Sequence, residues 1–206
     1  IINLCAVGLG NSLNNVRLIL QKEYEKNKIS GDFNILVLFS VAISTIPIII
    51  IINLMPSISN VDSNTYILLS LTLILTIFRS YYQVAFRIKL DFMKNLTLNL
   101  ITGAGYLCGL LIYEITAQWP IAFLVGELLG CSYLCFYSPL INEPLIKTKF
   151  FRVALSKYIM LMGTGFLANL LSYLDRLLLY PVIGGEAVAI YITAGFVGKS
   201  LSIVMM

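Results

Sequence analysis

Seven apolar runs, each about as long as a membrane-spanning helix, constrain the fold of this chain more than any other feature. Roughly 20 apolar residues in an α-helix cross the hydrocarbon core of a bilayer, and an open strand cannot cross it. Only 12% of the 206 residues are charged and the mean hydropathy is +0.90, which excludes a soluble enzyme, a nucleic-acid-binding protein and a disordered chain. The sequence predicts an all-α polytopic membrane protein with about seven transmembrane helices. The runs cover residues 1–20, 33–55, 65–86, 95–113, 119–141, 158–183 and 188 onward.

Lysine and arginine alternate between the connectors that join these runs. The first, third and fifth connectors carry three, three and four basic residues, and the others carry none. Because basic residues accumulate on the cytoplasmic side, we expect the odd-numbered connectors to be cytoplasmic. Ile1 and Met206 each lie inside an apolar run, so we interpret the sequence as an internal slice of a longer protein. The basic residues are Lys22, Lys26 and Lys28, then Arg87, Lys89 and Lys94, then Lys147, Lys149, Arg152 and Lys157.

The fifth connector, residues 142–157, mixes basic residues with Phe150, Phe151 and Leu155. This mixture favours an amphipathic helix that lies along the inner membrane surface and acts as a hinge between two helical bundles. An ordinary basic cytoplasmic loop remains an equal alternative.

Polar residues recur at helical spacing on four of the predicted spans, which indicates a shared hydrophilic interior. Such stripes should line water or polar neighbours, and they favour transport or the handling of a lipid substrate. The stripes comprise Asn3, Gly10, Asn14, Arg17 and Gln21 on the first span; Thr72, Thr76, Arg79, Ser80, Gln83 and Arg87 on the third; Gly165, Asn169, Ser172 and Arg176 on the sixth; and Tyr191, Gly195, Gly198, Lys199 and Ser202 on the seventh.

Charged residues within the spans are expensive, and cations outnumber anions among them. A cation-rich interior suits a phosphate or pyrophosphate, which arginine binds through two parallel hydrogen bonds. Two structural alternatives stay open: Arg17 extends to the interface, and Glu127 pairs with a basic residue on a neighbouring span. The candidate substrate-binding cations are Arg17, Arg79, Arg176 and Lys199, and the candidate carboxylates for a coupling ion are Glu127 and Asp175.

Glycines spaced four apart predict close helix packing on the fourth and fifth spans. The pairs are Gly105 with Gly109, supported by Gly103, and Gly126 with Gly130. The chain has no histidine and no CxxC pair, so neither a metal site nor a cofactor is expected.

The stretch from Leu155 to Ile203 carries a family resemblance. An Asp175–Arg176 pair near the outer end of a long span is followed by Gly185, Glu186 and, five residues later, Tyr191. This pattern resembles the oligosaccharide flippase (polysaccharide exporter, Wzx-type) family of the multidrug/oligosaccharidyl-lipid/polysaccharide superfamily. The segment from Gly8 through Arg17 to Lys28 is similar to that family's second helix and following loop.

The resemblance implies a slice of a two-lobed transporter with 12 to 14 helices. Residues 1–141 would be helices two to six of the N-terminal lobe, residues 142–157 the cytoplasmic link, and residues 158–206 helices seven and eight. The implied function is flipping of a polyprenyl-pyrophosphate-linked oligosaccharide across the cytoplasmic membrane for surface polysaccharide biosynthesis, with possible H⁺ or Na⁺ coupling. The implied partners are that substrate and membrane lipid, with no nucleic acid and no enzymatic activity.

Two other functions remain alternatives. A drug or cation exporter of the same fold would need an anionic or aromatic interior, whereas this one is rich in cations. A membrane-embedded polysaccharide polymerase or ligase would need a large external loop and acid/base groups, and the even-numbered connectors are short.

Overall fold

The computed structural model is predominantly helical, with 89% of the described residues in helices and no strand among them. It describes the backbone of residues 2–23, 31–54 and 63–204, and the side chains of these ranges except residues 2–8, 47–54, 63 and many beyond residue 168. The all-α prediction is confirmed for these ranges. The helices are α1 (Ile2–Glu23), α2 (Asp32–Leu54), α3 (Ser63–Tyr82), α4 (Val84–Ile88), α5 (Phe92–Thr116), α6 (Pro120–Tyr137), a 3₁₀ helix (Pro139–Asn142) and α7 (Phe151–Val204).

Three helical stretches in the described ranges are long and apolar enough to cross a membrane: Asn64–Ile88, Phe92–Thr116 and Pro120–Tyr137. The part of α2 whose side chains are described, Asp32–Ile46, is also apolar. These helices support the prediction of a membrane protein, and the total of seven spans stays a prediction.

The sixth and seventh predicted spans both lie in α7, which consists of two helices that meet at a kink at Gly184. Gly184 has φ 79° and ψ 170°, a conformation that residues with a Cβ rarely adopt. The predicted connector 184–187 is therefore wrong in length, because a single non-helical residue separates the two helical parts.

The chain divides into two compact units, residues 1–165 and 166–206. Within the first unit, α1, α2 and α3 bury one apolar cluster together with the beginning of α7. Its members recur at steps of three and four, as a helix that buries one face requires. They include Leu13, Val16 and Leu20 on α1, Phe33, Leu36 and Val37 on α2, Leu73, Ile77 and Tyr81 on α3, and Ala154 and Tyr158 on α7. The second unit consists of the α7 residues from Phe166 onward, with the break at Gly184.

The ends of α5 show why this span is longer than its apolar run. Asp91 caps the helix, because its carboxylate accepts a hydrogen bond from the Lys94 backbone N–H (3.2 Å) and pairs with the Lys94 ammonium (2.9 Å). The Lys94 side chain, more than any other group, lowers the pKa of Asp91. The helix ends at Ala117, whose left-handed conformation (φ 56°) turns the chain toward α6.

Glycines bring α5 and α6 into backbone contact, as predicted. A Cβ on Gly105 would lie 2.6 Å from the Gly126 Cα, and a Cβ on Gly109 would lie 2.5 Å from the Ala122 carbonyl oxygen. Gly103 differs, since a Cβ there meets no atom within 4 Å, and its inclusion in the packing motif was wrong.

The fifth connector is not a helix along its whole length. Residues 143–150 are irregular, and α7 begins only at Phe151. Pro144 disfavours a helical conformation at the preceding residue, and Glu143 is accordingly extended (ψ 136°). The predicted surface helix is therefore wrong for residues 143–150.

The Gly109→Ala variant should unfold more easily than the wild type, by about 1–3 kcal/mol, because its methyl group must push α5 away from α6. Gly103→Ala is the matched control, since the same methyl group meets open space there, and its stability should stay within about 1 kcal/mol of the wild type. Unfolding in detergent by titration with dodecyl sulfate measures both. Equal stabilities of the two variants would contradict the packing described here.

Candidate functional site

Arg17 lies at the centre of a buried polar cluster at the end of α1. Its side chain is 0% exposed, and its two terminal nitrogens donate to the two carboxylate oxygens of Glu143 at 2.7 and 3.0 Å. The guanidinium also lies over the Phe33 ring, 4.9 Å from its centroid, and its Nε donates to Gln21 Oε1 (3.4 Å). The guanidinium is thus paired with the largely buried Glu143 carboxylate of the fifth connector, and the alternative that Arg17 extends to the membrane interface stays a prediction.

The same cluster fixes the start of the fifth connector to α2 and α3. Asn34 Nδ2 donates to the backbone carbonyl of Glu143 at 2.9 Å, and Tyr82 donates to Asn34 Oδ1 at 3.3 Å. We call Arg17, Gln21, Asn34, Tyr82 and Glu143 the Arg17 cluster. It joins three helices to one loop.

A second contact holds the other end of the loop. The Asp32 carboxylate accepts hydrogen bonds from the Thr148 backbone N–H (2.6 Å) and from the Thr148 hydroxyl. Further along, the Lys157 ammonium pairs with Glu23 at 2.7 Å. The end of α1 and the start of α2, which flank the first basic connector, thus contact the fifth connector. The side of the membrane on which they lie stays a prediction.

The polar stripes of α1 and α3 face each other. Asn14 Nδ2 donates to the Ser80 backbone carbonyl at 3.1 Å, and a Cβ on Gly10 would overlap the Ser80 hydroxyl. Phe33 stacks on Tyr81 with ring centroids 6.3 Å apart. The Tyr81 hydroxyl and Asn14 Oδ1 are buried without a hydrogen-bond partner in the described part of the chain. In α1 and α3, the polar stripes therefore line polar neighbours, which is one of the two surroundings, water or polar neighbours, that were expected for them.

Arg79 on α3 forms a second buried pair, with Glu127 on α6. Arg79 Nε and its second terminal nitrogen donate to Glu127 Oε2 and Oε1 at 2.6 and 3.1 Å, and the Tyr106 hydroxyl of α5 donates to Oε1 at 2.6 Å. The Glu127 side chain is only 3% exposed, and that of Arg79 is 18% exposed. Arg79, Tyr106 and Glu127 form what we call the Arg79 triad, which connects three helices within apolar spans. The alternative that Glu127 pairs with a cation on a neighbouring span agrees with this geometry.

The glycines of α6 make room for the triad. A Cβ on Gly126 would overlap the Tyr106 ring, and a Cβ on Gly130 would lie 2.8 Å from Arg79 Cδ. The small residues that were predicted for helix packing therefore also position the charged group.

Other polar residues of the α3 stripe satisfy each other or the backbone. Thr72 and Thr76 donate to carbonyls one turn back in their own helix, at 2.7 and 2.8 Å. Gln83 Nε2 donates to Asn95 Oδ1 at 2.7 Å. The two threonines thus bond within α3, and Gln83 bonds to a residue of α5.

The remaining predicted site residues lie in the second unit. The side chains of Asp175, Arg176 and Lys199 are outside the described residues. Gly185 and Glu186 are exposed and follow the break at Gly184, and Tyr191 is also exposed. Their predicted roles stay predictions.

Sequence reasoning did not single out Glu143 or Tyr106 as site residues. Glu143 is the one acidic residue of the fifth connector, which is a usable signal for a cation partner. Tyr106 follows Gly105 on α5 and gives no comparable signal. Within the described ranges, no three His, Cys, Asp or Glu side chains group as a metal ion would require.

Comparison of the chain with protein-family models, curated proteins and solved structures found no match.

Glu143→Gln should lower the free energy of unfolding by about 3–5 kcal/mol, because it leaves the fully buried Arg17 cation without a counter-ion. The double variant Arg17→Met with Glu143→Gln should lose less than the sum of the two single variants, since it buries no unpaired charge. Unfolding in detergent measures this coupling.

Lys157→Gln is the control for loss of an exposed ion pair, and it should cost no more than about 1 kcal/mol. A Glu143→Gln variant that is as stable as Lys157→Gln would contradict a buried, structurally required pair.

Proposed function

We propose that this chain forms part of a transporter that flips a polyprenyl-pyrophosphate-linked oligosaccharide across the cytoplasmic membrane for surface polysaccharide biosynthesis. The observation that carries the proposal is the Arg79 triad, a charged group buried where apolar helices meet. Charged residues at such depth usually mark a substrate or ion path. The sequence resemblance of residues 155–203 to oligosaccharide flippases supports the same function.

Arg79 is the best of the described cations for binding the substrate headgroup. Its guanidinium holds two carboxylate oxygens side by side, and a pyrophosphate presents oxygens in the same arrangement. Its side chain is 18% exposed, whereas Arg17 is 0% exposed and is held by Glu143. We therefore assign Arg17 a positioning role and keep Arg176 and Lys199 as further candidate cations.

Glu127 is the described candidate for coupling transport to an ion gradient. A proton or Na⁺ on its carboxylate would compete with Arg79 and release the guanidinium for the pyrophosphate. Tyr106 would keep Glu127 in place during this exchange, since its hydroxyl donates to the same carboxylate. Asp175 stays the second candidate. The reaction is transport without chemical change, so no enzymatic step is proposed.

The described carboxylates also bear on the alternative of a drug or cation exporter. Glu127 and Glu143 each accept two hydrogen bonds from an arginine, so neither offers an uncompensated negative charge to a cationic cargo. The same pairs neutralise Arg17 and Arg79, so the preference for an anionic substrate rests on the family resemblance and on the two-pronged guanidinium of Arg79.

Transport tests this role of the triad directly. The full-length transporter that contains this chain is reconstituted into vesicles, and the movement of a fluorescent polyprenyl-pyrophosphate oligosaccharide between leaflets is measured. Arg79→Gln should reduce the rate by at least about tenfold, because it removes one bidentate, charge-assisted contact with the substrate. The Lys157→Gln variant neutralises an exposed ion pair outside the Arg79 triad, and it should transport at the wild-type rate.

The double variant Arg79→Gln with Glu127→Gln separates transport from stability. It removes both charges together, so it should recover much of the stability lost in either single variant. It should still fail to transport. Transport at the wild-type rate in this double variant would show that the pair only stabilises the helices, and the proposal would be wrong.

A further inference from the structure

The loop after α6 exposes two large aliphatic side chains. Leu145 and Ile146 are 63% and 59% exposed, although the loop that carries them is held at both ends. Glu143 is bonded to Arg17 and Asn34 on one side, and Thr148 is bonded to Asp32 on the other. The exposure of Leu145 and Ile146 is therefore imposed by the fold.

Gly31 completes this anchoring. It lies at φ 103°, and a Cβ there would lie 2.6 and 2.7 Å from the carbonyl oxygens of Pro144 and Ile146. The backbone on either side of Leu145 is thus pressed against the start of α2, and the two aliphatic side chains are directed away from it. A loop with this many anchors presents a fixed apolar tip at little entropic cost.

Basic residues surround this tip. Residues 144–157 contain four basic and no acidic residues, and Lys147, Lys149 and Arg152 are exposed. Two acidic side chains contact this loop: Glu143, which is neutralised by Arg17, and Asp32, whose carboxylate is fully buried and bonded to Thr148. The surface formed by Leu145, Ile146, Lys147, Lys149 and Arg152, which we call the basic loop tip, is therefore apolar at its apex and positively charged around it.

The basic loop tip lies close to the end of a membrane span. The apolar stretch Pro120–Tyr137 ends eight residues before Leu145, and Phe136 and Tyr137 are exposed at that end. Exposed aromatic residues at a span end are typical of the membrane interface. The loop tip is thus within reach of lipid headgroups.

We propose that the basic loop tip binds acidic phospholipid headgroups of the membrane in which the chain is embedded, with Leu145 and Ile146 inserted among the acyl chains. Charge complementarity selects acidic over neutral lipid, and the aliphatic pair holds the loop at the interface. This inference rests on the membrane spans and does not require the transport proposal.

Fluorescence quenching by brominated lipids tests this binding in the full chain. Trp119 is the single tryptophan, so a Leu145→Trp variant in a Trp119→Phe background reports on the loop alone. The protein is reconstituted into phosphatidylcholine vesicles with equal mole fractions of brominated phosphatidylglycerol or brominated phosphatidylcholine. We expect stronger quenching by the brominated phosphatidylglycerol.

Neutralising the loop tests the charge contribution. In the same reporter, Lys147→Gln, Lys149→Gln and Arg152→Gln together should abolish the preference, since each basic residue near an acidic surface contributes roughly fivefold to lipid enrichment. In the matched control, Arg87, Lys89 and Lys94 are each replaced by glutamine. It changes the net charge equally and should keep the preference.

The proposal would be overturned by equal quenching by both lipids, by a preference that survives the loop triple variant, or by a preference lost equally in the control. Absence of quenching by either lipid would also overturn it, and measurement of the particle mass in detergent would then test whether a second copy of the chain covers the tip instead.

Discussion

A cation buried among apolar helices is stable only beside an opposite charge, and this requirement determines which parts of the first unit must lie together. Arg17 requires Glu143, which is 126 residues away in the chain, so the loop after α6 must return to the end of α1. Arg79 requires Glu127, so α3 must lie against α6. The apolar cluster fills the space between α1, α2 and α3, but it alone would allow several helix rotations.

Close packing of the backbone makes one of these pairs possible. The α5–α6 contact depends on Gly105 and Gly109, and the same contact places Tyr106 beside Glu127. Gly130 leaves space for the aliphatic part of Arg79. Helix packing and the charged group are thus consequences of the same small residues, and the triad would not form between helices separated by larger side chains.

The helices and their packing glycines could be predicted from the sequence because both depend on local patterns. The apolar run at 95–113, for example, differs from α5 only by a few residues at each end, where Asp91 caps the helix. The partners of the buried ion pairs could be predicted only in part. One alternative was that Glu127 pairs with a cation on a neighbouring span, and Arg79 is such a cation. Glu143 was missed because its position depends on an irregular loop whose course is set by Pro144, Asn34 and Asp32, and spacing along the chain does not show such contacts.

We propose that the Arg79–Glu127 pair opens when a pyrophosphate-linked substrate binds. Infrared difference spectroscopy of the protein in lipid nanodiscs tests this most directly, with the Glu127 carboxylate band identified by its loss in Glu127→Gln. We expect the band to shift when polyprenyl-pyrophosphate oligosaccharide is added, because the carboxylate loses its two hydrogen bonds from Arg79. Saturable binding of the substrate with an unchanged Glu127 band would contradict it.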